Sequence, residues 1–309
     1  MGTGDFAVPS LDAVHRAGHE ISLVVSQPDR PQGRGLELKG TPVKTAAVAL
    51  GLPVFQPDKL RADPGPVIAQ KADVLVVVAY GQILREDVLG GASRGAVNLH
   101  ASLLPKYRGA APIQWAIANG DALTGVTTMQ LDRGMDTGPI LLQEPCPIEA
   151  DDTTATLEPK LARIGARLLI STLEGLSHGT LRPRLQEDAA ATRAPLIKKT
   201  DGRIDFQMTA TQIRNRLRGL SPWPGLFFTH GGRSIKLLAA DVAQGPSAVA
   251  AIPGTVLVAS REGLEVACGS GSILRLLRVQ PESRSGLSAH EFADAAKVRP
   301  GVLFNPAAD

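Results

Sequence analysis

Along the first half of the chain, short apolar runs alternate with stretches of helical spacing. "ISLVVS" (21–26) and "DVLVVVA" (73–79) are β-branched and apolar on both faces, the pattern of strands buried in a parallel sheet. Between them, "PVKTAAVALG" (42–51) has helical composition and stops at Gly51, as helices commonly do. Leu157, Leu161, Ile164, Leu168 and Leu176 mark one face of a long amphipathic helix. The fold class expected is therefore α/β, an open, mostly parallel Rossmann-like sheet, with sites forming beyond the carboxyl ends of strands. The chain opens with "MGTGDFAVPS", a Gly-rich turn into a helix without the strand that should precede it, so the first strand of the sheet is expected to be missing. "GTG" lacks a full dinucleotide fingerprint and reads as a tight βα turn.

The rear of the chain changes period. "RPRLQEDAAATRAPLIKKT" (182–200) carries Pro, Ala and charge without periodicity and reads as a linker. After a helix over "TATQIRNRLRGL" (209–220) and the rigid "SPWPG", the runs "IKLLAADV", "GTVLVAS", "GLEVAC" and "ILRLLRVQ" form strands at short intervals. That spacing fits a second, smaller, OB-like β-barrel. The domains expected are 1–181, a linker at 182–200, and 201–309. At 309 residues the length suits two units better than one core.

Charge sharpens this division. Residues 1–181 hold 16 Lys+Arg against 19 Asp+Glu, whereas 182–309 hold 17 against 11. A basic rear on a near-neutral front is what attraction to a polyanion requires. Arg214, Arg216 and Arg218 cannot share one helix face and read as a diffuse basic surface. No apolar run approaches the ~18 residues of a membrane span, and no secretory signal is evident, so a cytoplasmic location is expected. The two cysteines, Cys146 and Cys268, lie far apart without metal-type spacing and read as buried thiols.

The candidate chemistry sits in "AVNLH" (96–100) and the turn "SLLP" that follows. Residues two apart on a strand share a face, so Asn98 and His100 point together at a carboxyl end. Either alone is ordinarily a structural hydrogen-bonding residue; paired before a turn, they suit a carbonyl carbon that becomes tetrahedral under attack. The amide donates to the developing oxyanion, and the imidazole donates or exchanges a proton. A third group is needed to orient the imidazole. The loop "DRGMDTGPI" (132–140) offers Asp132 and Asp136, and spacing does not choose between them.

"NLHASLLPKYRGAAPIQWAIANGD", "MDTGPIL" and "SQPDRPQGRG" together resemble the 10-formyltetrahydrofolate-dependent formyltransferases. With "LSPWPG" and the rear strands, the resemblance narrows to those acting on methionyl-tRNA. It implies a formyl-transferring enzyme with catalytic Asn98, His100 and Asp136, the acid of Asp-Thr-Gly, and leaves Asp132 a structural role. Ser102, Leu103, Leu104 and Pro105 match the segment that the family places against the folate. The long loop 26–44, with three prolines and three glycines, is implied to reach the acceptor end of the tRNA through Arg34. The resemblance further implies 10-formyltetrahydrofolate as co-substrate, initiator methionyl-tRNA as partner, a tRNA-binding rear domain, no metal, no membrane and a monomer. A nucleotide-sugar amine formyltransferase or a formyltetrahydrofolate hydrolase would share the triad, and a non-enzymatic RNA-binding module would need none of it.

Overall fold

The structure, a computed structural model, describes residues 1–32, 37–243 and 250–304. It divides into two compact units. The first comprises Met1–Pro112, Leu123–Pro147 and Thr156–Pro195; the second comprises Ile113–Ala122, Ile148–Ala155 and Leu196–Asp309. The segment 182–195, read from sequence as part of a linker, packs with the first unit because its backbone pairs there: Arg184 and Ile140 exchange N–H···O bonds of 2.9 and 2.8 Å.

In the first unit the elements are α1 (Val8–Arg16), β1 (Val24–Val25), β2 (Arg30–Gln32), β3 (Glu37–Lys39), α2 (Pro42–Ala49), β4 (Val54–Phe55), α3 (Gly65–Ile68), β5 (Leu75–Val78), α4 (Glu86–Leu89) and β6 (Ala96–His100). After α5 (Pro112–Ala118), which from Ile113 on counts with the second unit, the first unit resumes with β7 (Leu123–Gln130), β8 (Ile140–Pro147) and, from Thr156 on, α6 (Thr154–His178). Strand β1 is parallel to β4, and β5 is parallel to β6. Beyond β6 the order continues through β7 to β8 with antiparallel pairing. The β7–β8 reversal follows from connection length: the 131–139 loop returns the chain directly, as antiparallel strands permit. Helix α6 lays Leu169 and Leu173 on Val97 and Leu141, and Leu157 and Leu161 of the stripe read from sequence are fully buried.

Only Met1–Gly2 stands where a strand would lie between β1 and β5. Gly2 N–H donates to the Val25 carbonyl and Val78 N–H to the Met1 carbonyl, both at 2.9 Å. Below this junction the two strands stay apart, and a cavity of about 500 Å³ opens between them, lined by Leu11, Val14, Leu23, Val24, Val74 and Val76. An open slot thus lies between β1 and β5 below the Met1–Gly2 junction.

The second unit contains α7 (Ala210–Gly219), β9 (Leu226–His230), β10 (Arg233–Val242), β11 (Val256–Ser260), β12 (Gly263–Ala267), β13 (Ile273–Pro281), β14 (Leu287–Ser288) and α8 (Ala289–Ala295). Its antiparallel sheet runs β11-β12-β13-β10-β9, with β14 on β13. Phe206, Phe228 and Phe304 pack together beneath it, the last two with ring centroids 4.7 Å apart. Among the described residues the sheet does not close into a barrel, although its strand content remains OB-like. Strand β9 lies in "LFFTH", which the sequence analysis passed over.

Candidate functional site

Strand β6 is buried along its whole length between β5 and β7, with Asn98 opposite Val77 and Met129, and His100 opposite Thr127. Burying an amide and an imidazole is costly unless they are bonded or reserved for a ligand. His100 is bonded: its Nε2 lies 2.9 Å from the Tyr107 carbonyl oxygen. A carbonyl only accepts, so that contact assigns the proton to Nε2. Its Nδ1 lies 3.7 Å from Asp136 Oδ2, longer than a hydrogen bond, and is the ring edge left free to exchange a proton. The Asn98 amide has no hydrogen-bond partner among the described residues.

Both partners of His100 hold unusual backbone. Tyr107 has φ 61° and Asp136 has φ 56°, the left-handed region that few side chains occupy without compensation. For Asp136 the compensation includes Gly109 N–H, which donates to Oδ2 at 2.8 Å. The other acid of the loop is turned inward on its own segment: Asp132 accepts from Thr137 Oγ1 at 2.8 and 2.9 Å and from Gly134 N–H at 2.9 Å. The geometry thus brings Asp136, not Asp132, to the imidazole.

The turn Ser102–Leu103–Leu104–Pro105 follows immediately. Leu104 N–H donates to Thr127 Oγ1 at 3.1 Å, Thr127 Oγ1 donates to the Ser102 carbonyl at 2.6 Å, and Gln143 Nε2 donates to the Leu104 carbonyl at 2.9 Å. Ser102 and Leu104 are buried, whereas Leu103 and Pro105 are half-buried. What the turn can offer a ligand is therefore mainly an apolar edge, since its inner backbone groups are already bonded. Thr127 and Gln143 were not singled out from sequence. The alternating run "GVTTMQL" contains one of them, but nothing in that pattern marks it as a partner of the turn.

Within the 26–44 loop, β2 pairs antiparallel with β3. Arg34 lies outside the described residues. Described residues of the loop are anchored: Gln56 Nε2 donates to Asp29 Oδ1 at 2.7 Å and to the Gln27 carbonyl at 2.8 Å, Lys44 pairs with Asp29, and Gln27 Nε2 donates to the Tyr80 carbonyl at 2.9 Å. The Gln56 hydrogen bond, then that of Lys44, holds the Asp29 carboxyl below its ordinary pKa.

In the second unit, Arg214, Arg216 and Arg218 do not form the diffuse basic surface read from sequence. Arg214 reaches Asp151 at 3.3 Å and Asp241 at 3.7 Å, Arg216 donates to the Asp201 carbonyl at 2.6 Å, and Arg218 donates to the Asp152 carbonyl at 3.0 Å. Acidic and carbonyl groups 15 to 66 residues away in sequence take up these cations, and a local reading of charge does not see them. Among the described residues, no group of three or more His, Cys, Asp and Glu is placed to hold a metal, and no helix is long and apolar enough to cross a membrane.

Residues 1–173 match the formyl transferase family model and residues 196–297 match the formyl transferase C-terminal domain. A methionyl-tRNA formyltransferase of Solibacter usitatus is 48% identical over 301 residues, covering 96% of this chain and 95% of the relative. One of Anaeromyxobacter dehalogenans is 48% identical over 300 residues, covering 96% of each chain. Among solved structures, the sugar 3N-formyl transferase WlaRD, determined with dTDP and 5-N-formyl-THF, superposes with a TM-score of 0.66 at 17% identity, over 92% of this chain and 97% of that one. An N-formyltransferase from Helicobacter canadensis, in complex with folinic acid and dTDP-3-aminofucose, gives 0.64 at 18% identity, over 89% and 96%. These two show the fold, and the near-full-length identity to the first pair carries the assignment further: the chain belongs to the methionyl-tRNA formyltransferase family.

Proposed function

We propose that the chain transfers the formyl group of 10-formyltetrahydrofolate to the α-amino group of initiator methionyl-tRNA, as a cytoplasmic monomer. The observation that carries the formyl-transfer chemistry is a buried, unpartnered Asn98 amide on the same strand face as an imidazole held by Tyr107 and facing Asp136, and the near-full-length identity to methionyl-tRNA formyltransferases supports the acceptor. In the reaction the neutral amine attacks the formyl carbon. A new C–N bond forms, the bond from the formyl carbon to the folate nitrogen breaks, and one proton passes from the attacking to the departing nitrogen. No electron is gained or lost overall. Asn98 N–H stabilises the oxygen as charge develops there. His100 Nδ1 moves the proton, and Asp136 stabilises the ring while it carries two. Holding amine and formyl carbon together supplies much of the remaining acceleration.

The apolar edge of Leu103 and Pro105, beside the bonded turn at Ser102 and Leu104, suits a flat pterin-bearing donor with few polar fixtures. Arg34, in the 26–44 loop, is assigned to the acceptor end of the tRNA; described residues of that loop are tied to the body by Asp29, Lys44 and Gln56. The basic residues of 201–309 contact phosphate.

The test is formyl transfer from 10-formyltetrahydrofolate, with methionyl-tRNA, a UDP-amino sugar and water as competing acceptors. Transfer to methionyl-tRNA should dominate; preferential transfer to the sugar or to water would overturn the reading. Arg34→Ala should weaken use of methionyl-tRNA by about 1–3 kcal/mol and leave donor hydrolysis unchanged. Equal loss of both would instead place Arg34 in the folate pocket.

A further inference from the structure

The segment 184–194 lies against both loops that hold His100. At one end, Arg184 Nη2 donates to Gln143 Oε1 at 2.7 Å, the same side chain that bonds the Leu104 carbonyl. In the middle, Gln186 Nε2 donates to the carbonyls of Asp136 and Gly138 at 2.9 and 2.8 Å. Its Oε1 accepts from Arg108 Nε at 3.0 Å, and Arg108 Nη1 continues to Asp188 at 2.9 Å. At the far end, Thr192 Oγ1 accepts from Tyr107 N–H at 2.9 Å, and the Thr192 carbonyl accepts from Arg108 N–H at 2.9 Å. Ala194 N–H donates to the Arg108 carbonyl at 2.8 Å, so the 105–111 loop is paired to this segment almost as to a strand.

The Gln186 side chain therefore holds the backbone of Asp136, and the Thr192 side chain holds the N–H of Tyr107, while the Thr192 carbonyl takes the Arg108 N–H of the peptide unit whose carbonyl receives His100 Nε2–H. Each of these two partners sits in the left-handed region, a conformation that persists only where surrounding bonds over-determine it. We infer that residues 184–194 act as a strap that sets the orientation and tautomer of His100, with Gln186 and Thr192 as positioning residues. The inference deepens the proposed formyl transfer and rests on that reading for the consequence, though not for the geometry. Neither residue touches the reacting atoms. Each acts through a partner of the imidazole, and a displacement near 1 Å at such a group costs on the order of 100-fold in rate.

The experiment compares Gln186→Leu, Thr192→Val and Thr192→Ser with the wild-type chain, and uses Leu185→Asn, an exposed strap position, as the control. Steady-state kinetics with 10-formyltetrahydrofolate and methionyl-tRNA are combined with ¹⁵N chemical shifts of the His100 ring, assigned with His100→Gln. Gln186→Leu and Thr192→Val should lower kcat by about 10- to 100-fold with both KM values within about twofold, and should move the ring shifts. Thr192→Ser, which keeps the hydroxyl, should restore both, and Leu185→Asn should match wild type. Folded variants with wild-type kcat and unmoved ring shifts would overturn the inference, as would a Thr192→Ser protein as slow as Thr192→Val. Should Gln186→Leu not fold, the Val and Ser pair at 192 decides. Failure of the wild-type chain to formylate methionyl-tRNA would sink the functional reading, while the ring shifts would still test the strap.

Discussion

The two halves of the first unit's sheet are built to different standards. From β5 to β8 the strands are paired continuously, and β6 is covered on both sides. Thr128 and Thr172 share a buried hydrogen bond of 2.8 Å, and Met129 and Leu169 are fully buried. From β5 back to β1 the sheet is held by two residues at the chain's start and opens into a slot of about 500 Å³. The loops that face His100 are held by several hydrogen bonds, where positions must hold to a fraction of an ångström. The slot lies in the half that supplies apolar packing. Side chains along it lack partner atoms on one side and forfeit dispersion energy there.

If that division is right, the largest effects come from β6. Asn98→Ala and His100→Ala should each lower formyl transfer by roughly 100- to 1000-fold, about 2.7–4 kcal/mol, as loss of a charge-stabilising donor does. Thermal unfolding should change little, since Asn98 has no partner to lose. Near-normal turnover in a folded Asn98→Ala protein would remove it from the reaction. Next comes packing behind β6. Leu169→Ala, in the fully buried cluster with Val97 and Leu141, should cost about 3 kcal/mol of stability, measured by urea unfolding. The same change at Leu23, beside the slot, should cost only about 1–2 kcal/mol, because part of its surface already faces a void. Equal losses at the two positions would erase the distinction between the halves.

The smallest effect concerns the thiols. Burial pushes the Cys268 thiol up to about 12, so near neutral pH it stays protonated and unreactive. Cys146 is buried as well. Native protein should therefore react with iodoacetamide far more slowly than urea-unfolded protein; rapid labelling of Cys268 in the native state would show that its surroundings open readily.

Much of the fold was legible because it is written in local periods. Helix α6 follows from Leu157, Leu161, Ile164 and Leu168, and strands β10 to β13 occupy the four apolar runs that marked them. β9 escaped because "LFFTH" is short and adjoins a Pro-rich turn, where local composition argues for a loop. Within 182–200, read as a linker, residues 182–195 carry no such period either. That segment gains its order from pairing with Ile140 and Arg108, and no internal period records a partner more than 40 residues away.

By itself the sequence determined which residue types share a strand face: Asn98 and His100 two apart, with a turn after them, follow from the pleat. It also limited the orienting acid to two candidates and, through its motifs, indicated the family. Only the tertiary structure showed that Asp132 bonds Thr137 while Asp136 reaches His100, and that Tyr107 supplies the second contact of the ring. It alone revealed that Arg214, Arg216 and Arg218 are engaged and that Gln186 and Thr192 hold the partners of His100. The physical reason is range. Periodicity and propensity are set by neighbours within a few residues, whereas hydrogen bonds between loops depend on where distant strands bring their ends together.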